Sequence, residues 1–258
     1  MGIPSWWVQN SSRGRTPSRL TRVKMNSGQA VHLYELANRI PSMGGMKIGP
    51  MLRQVARDAP GGTSIVEVGC WLGAGTAQLA LGLREREREG RVSLHCFDRW
   101  QAQPVEIAKA AKKGVSISVL ENTLPRVQRT LEPFEVPIQF HQGDLMHARW
   151  EGSPISVYVD DASKTLPFFY RSLATFAPFW VPGETVILLM DFYRWRKTGA
   201  PKDQCQQRVV EAISDCFAYE GGATESSLAM FRYTAPLGTE AWTWLLKQSS
   251  EAVAVAEY

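Results

Sequence analysis

The chain has 258 residues, 44% of them hydrophobic, and a formal net charge of +4, which suits one large α/β domain with additions and a sizeable core. The charge is uneven: Arg13, Arg15, Arg19, Arg22 and Lys24 all precede the first acidic residue, Glu35, and removing these five from +4 leaves −1 for the rest. A basic nucleic-acid groove spread over the fold is therefore not indicated, no apolar run is long enough to span a bilayer, and Met1 to Trp7 lacks a signal peptide's apolar centre.

Residues 1–27, rich in Ser, Arg, Gly and Pro, read as a flexible basic arm, with the Trp6-Trp7 pair docked on the body or on a partner. The remaining 28–258 read as the folded domain. Its N-terminal helices, within 28–60, are marked first by Val31, Leu33, Leu36, Ala37 and Ile40 at helical spacing, then by a shorter run from Ile48 to Ala56.

Ser64 to Val68 reads as a buried strand running into a turn with glycines at 69, 73 and 75 and a helix from about Thr76. The free N–H groups of that helix point at the turn, so a small polar ligand is expected there. A dinucleotide fingerprint fails because Gln78 stands where the third glycine belongs, and a phosphate loop fails for want of Lys followed by Ser or Thr. The helix continues to Arg88, where the run Arg84 to Glu89 reads as a solvated face.

Arg91 to Asp98 is the second predicted strand, with Asp98 placed either to accept ribose hydroxyls or to cap a turn. A long connection follows, with helices over Pro104–Lys113 and Asn122–Leu131, then a strand over Pro137–Phe140 leaving through His141-Gln142-Gly143-Asp144. Asp144 either meets a ligand or caps the next turn. Ile155 to Val159 is a fourth strand, and its ending Asp160-Asp161-Ala162-Ser163-Lys164 falls in the crevice where open α/β sheets bind ligands. A helix over Leu166–Phe179 and an apolar strand over Glu184–Met190 lead to Asp191-Phe192-Tyr193. Cys205–Phe217 reads as a helix, Ser227–Thr234 as an antiparallel strand at the sheet edge, and Ala241–Leu246 as a terminal helix or pairing surface, with a fraying tail after Ser249. The fold expected is a Rossmann-like, doubly wound, mostly parallel seven-stranded sheet with an antiparallel edge strand and an N-terminal helical cap. Cys70, Cys96, Cys205 and Cys216 lie far apart without Cys-x-x-Cys spacing, as structural thiols of a reduced, cytoplasmic protein do.

Glu67-Val68-Gly69-Cys70-Trp71-Leu72-Gly73 resembles the first motif of class I S-adenosylmethionine-dependent methyltransferases, and more narrowly that of the macrocin O-methyltransferase family, with its Trp two residues after the first glycine. The resemblance covers roughly residues 60–215. It implies S-adenosyl-L-methionine held by Glu67, Gly69, Trp71, Gly73, Gly75, Thr76, Asp98, Asp144 and Asp160, and helices before the first strand that either cover an acceptor pocket or only pack. Asp161 to Lys164 reproduces the acid-to-lysine spacing of metal-dependent catechol and caffeoyl O-methyltransferases, whereas the macrocin family has two acids separated by one residue. Asp191-Phe192-Tyr193 looks like that family's Asp-Asp-Tyr with Phe192 in place of the second acid. The implied metal ligands are Asp160, Asp161 and Asp191. Mg²⁺ wants about six oxygens, so a lost carboxylate makes a poorer site and a metal requirement stays open.

The implied reaction is O-methylation of a small-molecule hydroxyl, of sugar or natural-product type, with Asp160, Asp161 and Lys164 as catalytic candidates and His141 behind them. Flanking acids keep a lysine protonated, so an aspartate is the preferred base. Rival readings are a hydroxylase-like relative, a non-catalytic domain that retains the fold as a binding module, and a nucleotide-sugar or NAD enzyme, the last disfavoured by Gln78. Aromatic residues near both termini are compatible with a homodimer.

Overall fold

Alternating apolar strands and helices assemble, in a computed structural model whose described residues are 26–45 and 47–256, around one seven-stranded sheet. In chain order the elements are α1 (Ser27–Arg39), α2 (Ile48–Asp58), β1 (Ser64–Val68), α3 (Ala74–Glu85), β2 (Ser93–Asp98), α4 (Pro104–Ala111), α5 (Leu124–Leu131), β3 (Ile138–Gln142), β4 (Ile155–Asp160), α6 (Leu166–Phe176), β5 (Val186–Leu189), α7 (Trp195–Thr198), α8 (Cys205–Ala212), β6 (Phe217–Ala223), β7 (Leu228–Tyr233) and α9 (Thr239–Ala256). The strand order is β3-β2-β1-β4-β5-β7-β6, parallel from β3 to β5, with β7 antiparallel to both β5 and β6. Of the expected arm, residues 1–25 with the Trp6-Trp7 pair lie outside the described residues, whereas Asn26 and Ser27 belong to α1 as its cap and first residue.

The pleat of the central strands divides the core in two. Ile65, Leu94, Val157, Val159 and Leu188 pack with Leu33, Leu52, Leu79 and Leu81 of α1, α2 and α3. Val66, Val68, Phe97, Tyr158 and Ile187 pack with Phe169, Phe176, Val209 and Leu245 of α6, α8 and α9. Helices on both faces are what a parallel sheet requires to bury its strands.

The sequence reading needs three corrections here. The strand expected at the edge, near 227–234, lies inside the sheet as β7, and the edge is β6, which the reading had divided between a helix and a loop. Gly221 and Gly222 hide the strand signal: the register shifts between Tyr219 and Gly221, with Gly221 at φ +129°. The run Arg84 to Glu89 is only partly solvated. Arg86 is 5% exposed and its guanidinium donates to the carbonyls of Ala59, Arg88, Glu89 and Gly90 at 2.7–2.9 Å, closing the loop after α3. Nor does the chain end fray after Ser249, since α9 continues to Ala256 and buries Leu245 and Ser249, with Trp244 edge-on to Tyr170 of α6. Among the described residues no helix is long and apolar enough to cross a membrane.

Helix α3 must press against α2 to bring its N-terminus under the turn, and Gly82 permits it. A β-carbon at 82 would lie 2.2 Å from the carbonyl oxygen of Arg53 and 2.9 Å from the Ala56 side chain. Gly82→Ala gains up to about 1 kcal/mol of helix propensity but forces α2 away, an overpacking cost of about 1–3 kcal/mol. Net destabilisation is expected in urea unfolding; a more stable Gly82→Ala chain would show that the two helices do not pack this closely.

Candidate active site

The ends of the parallel strands are held in one row by ladder bonds that continue past the strands. Gly69 N–H donates to Phe97 O at 2.9 Å, Gly143 N–H to Asp98 O at 3.0 Å, Asp161 N–H to Val68 O at 2.8 Å and Met190 N–H to Asp160 O at 3.0 Å. Whatever follows each strand therefore faces one cleft of about 960 Å³. Glu67, Gly69, Trp71, Gly75, Asp98, Asp144, Asp161, Lys164 and Asp191 all line it.

The turn after β1 owes its shape to two close approaches. Gly69 has φ +89°, and a β-carbon there would lie 2.8 Å from the backbone of Asp161 and Ala162. At Gly75 a β-carbon would lie 2.3 Å from Glu67 Oε1, so the glycine leaves the carboxylate its space. Trp71, itself at φ +48°, donates its N–H to Asp98 Oδ2 at 2.8 Å, while Trp100 N–H donates to Oδ1 at 2.7 Å. These bonds aim Asp98, and burial, outweighing them, raises its pKa.

Glu67 is 3% exposed and accepts from Thr76 Oγ1 at 2.5 Å. Burial pushes its pKa up from 4.5 to about 7 against the bonds from Thr76 and Cys70, with Asp161 and Asp98 adding to the rise. The folded carboxyl thus keeps its proton where an unfolded one has lost it. Its ionisation lowers stability as pH rises from 4.5 through 7, by roughly 3 kcal/mol when complete. A cation bound in the cleft would reverse that penalty. The neighbouring thiols of Cys70 and Cys96 are buried and pushed up as well, so they pack as neutral groups.

Three expected ligand contacts move into the scaffold. Asp160 is fully buried and does not line the cleft. Its Oδ1 accepts from Ala162 N and Ser163 N at 3.1 and 2.8 Å, and its Oδ2 from Tyr158 Oη and Ser163 Oγ at 2.8 and 2.7 Å, which makes it the cap of the turn and uses up its carboxylate. Its neighbour Asp161, and not Asp160, lines the cleft. Thr76 is fully buried and spends its hydroxyl on Glu67. Gly73, at φ +86°, caps α3 against Val127 and stays away from the cleft. Asp144 caps the 3-10 turn Leu145–His147 through Met146 N at 2.9 Å and also lines the cleft.

At the other end of the cleft, Lys164 Nζ donates to Asp161 Oδ1 at 2.8 Å and also to Asp191 Oδ2. Burial pulls the ammonium down, but the two carboxylates more than offset it and raise its pKa, so Lys164 is a fixed cation and not a base. Arg194 approaches Asp191 to 3.8 Å and Asp203 to 3.3 Å. The donor set is a poor fit to Mg²⁺. It offers two carboxylates already bridged by an ammonium, and Phe192, at the position of a third acid, is 7% exposed with its ring 5.1 Å from that of Phe231.

The sequence reading missed part of the wall. Ser42 to Gly44 and Ser226-Ser227 line the cleft, and the two segments meet where Lys47 Nζ lies 2.8 Å from Glu225 Oε1. Arg194 and Lys197 also line the cleft. The glycine pair at 44 and 45 between two helices was the available signal; the pairing with 224–227 had none. His141, the fourth base candidate, lines the cleft but is held 3.0 Å from His95 and stacked 4.2 Å from Phe97, neutral because burial lowers its pKa.

No family model matches the sequence, and no curated protein matches it significantly. Solved structures are similar to it in fold. The O-methyltransferase NovP aligns with a TM-score of 0.59 at 14% identity, covering 80% of this chain and all 100% of that one. CalS11, a calicheamicin methyltransferase, gives 0.51 at 13% identity over 87% of this chain and 100% of that one. A protein from Corynebacterium glutamicum gives 0.52 at 12% identity over 81% and 91%. The chain thus shares the Rossmann-like fold of NovP and CalS11, a seven-stranded mixed sheet flanked by helices.

Proposed function

We propose that residues 28–258 form an S-adenosylmethionine-dependent methyltransferase domain acting on a hydroxyl of a small molecule, of the sugar or natural-product type. The observation that carries this reading is the single cleft in which Glu67, the glycine turn and Asp98 stand at one end and the Asp161, Lys164, Asp191 group at the other. Two proteins of like fold, NovP and CalS11, are methyltransferases. The narrower macrocin-type kinship rests on the motif around Trp71 and on the Asp191-Phe192-Tyr193 ending.

In this reading Asp98 accepts the ribose hydroxyls, the backbone of Gly69 to Trp71 and the space beside Gly75 cradle the amino-acid end, Glu67 faces its positive charge, and the Gly143-Asp144 exit borders the adenine. When bound, S-adenosylmethionine supplies a methyl group activated by its positive sulfur. The carboxylate of Asp161 or Asp191 would take the proton of the acceptor hydroxyl as it receives that methyl. Holding the acceptor in line supplies most of the acceleration, and proton removal adds roughly 10²–10⁴-fold.

Calorimetry should detect binding of S-adenosylmethionine and S-adenosylhomocysteine but not NAD, with Asp98→Ala weakening S-adenosylhomocysteine by about ten- to a hundredfold. Absence of binding by both nucleosides would leave a non-catalytic module as the better reading. Since Glu67 is protonated below about pH 7, affinity for the cationic S-adenosylmethionine should climb between pH 6 and 8, approaching tenfold per unit at the acid end. Glu67→Gln should flatten that rise, and a flat wild-type profile would count against Glu67 as the facing charge. Asp191→Ala and Asp161→Ala should each lower turnover by about a hundredfold or more with S-adenosylhomocysteine affinity kept; unchanged turnover in both would remove the proton acceptor from this end of the cleft.

A further inference from the structure

We infer that the Lys164 ammonium is the resident cation of this site. It takes the place between Asp161 and Asp191 that a divalent ion would need, and it makes the chemistry of the cleft independent of added metal. The inference rests on the methyltransferase reading only for what the two carboxylates act on; the cation's place is a matter of geometry.

Asp161 follows β4 and Asp191 follows β5, so their carboxylates come from different strands and would repel each other across the cleft without a positive charge between them. Lys164 supplies it, bonded to both. Arg194 adds a second cation 3.8 Å from Asp191. Arg194 lies nearer a third carboxylate, that of Asp203, at 3.3 Å, so the charge set directly between Asp161 and Asp191 is that of Lys164, and a divalent ion would have to expel this ammonium to reach both carboxylates. The flanking positions cannot make up the coordination. Asp160 has both oxygens bonded by Tyr158, Ala162 and Ser163, and the ring of Phe192 lies against Tyr193 and Phe231. Lys164 is in this sense a positioning residue. It acts through Asp161 and Asp191, keeping both facing the acceptor and sharing the proton load between them.

The test is uptake of Mn²⁺ followed by the loss of its free-ion electron paramagnetic resonance signal. The full chain and Lys164→Arg should leave Mn²⁺ free, whereas Lys164→Met, which keeps the apolar stem and removes the charge, should bind about one ion per chain with at least roughly tenfold higher affinity. Adding Asp191→Asn to Lys164→Met should abolish that uptake. Chelator should not change turnover of the unaltered chain. Stoichiometric Mn²⁺ uptake by the unaltered chain would overturn the inference, and so would a folded Lys164→Met chain that takes up none. S-adenosylhomocysteine binding serves as the check on folding, with Lys164→Gln as the second neutral variant. Failure of the unaltered chain to bind that nucleoside would remove the methyltransferase reading while leaving the Mn²⁺ comparison intact.

Discussion

Two parallel strands end side by side in the middle of the sheet with no side chain between their turns. A β-carbon at Gly69 would strike the backbone of Asp161 and Ala162, and the bond from Asp161 N–H to Val68 O locks the same junction from the other side. Everything in the cleft depends on that contact. It brings the glycine turn and Asp98 into the same cleft as the charged group that follows β4 and β5, which the proposed reading assigns to nucleoside and acceptor. Fixed proximity of this kind is what a transfer between two bound molecules requires.

A single step along the chain separates structure from chemistry at Asp160 and Asp161. Because successive residues of a strand point to opposite sides, Asp160 is turned into the protein, where Tyr158 and Ser163 occupy its carboxylate, and Asp161 is turned out. The inner acid shapes the turn that presents the outer one. The same division of labour holds at β1, where Thr76 and Gly73 shape the surroundings of Glu67 and the start of α3 without reaching the cleft.

The strands from β1 to β5, and the residues at their ends, were legible because parallel central strands are apolar on both faces and the topology sends every carboxyl end to one side. That ground placed Asp98 and the Asp160-Asp161 pair at the crevice, while Glu67 and Asp191 were named through the resemblance to methyltransferases. The parity of Asp160 against Asp161 could not be read, since a one-residue shift in where β4 ends reverses which acid faces out. Strand β6 was hidden by its glycine pair, and Arg86 by the charged residues around it, whose alternation is that of a solvated helix. The wall formed by 42–44 and 226–227 joins segments remote in sequence, and nothing local announces such a meeting.

The placement of β7 between β5 and β6 has a consequence for the chain as it leaves the ribosome. When Val186–Leu189 emerges, the outer edge of the sheet is open, and the next strand made, β6, belongs one position further out. Only after Tyr233 has been released can β7 enter antiparallel and close the gap. In the interval β6, which runs in the same direction as β5, is a competitor for that edge. The glycine pair and bulge make β6 the less regular of the two strands and so the weaker candidate for that edge.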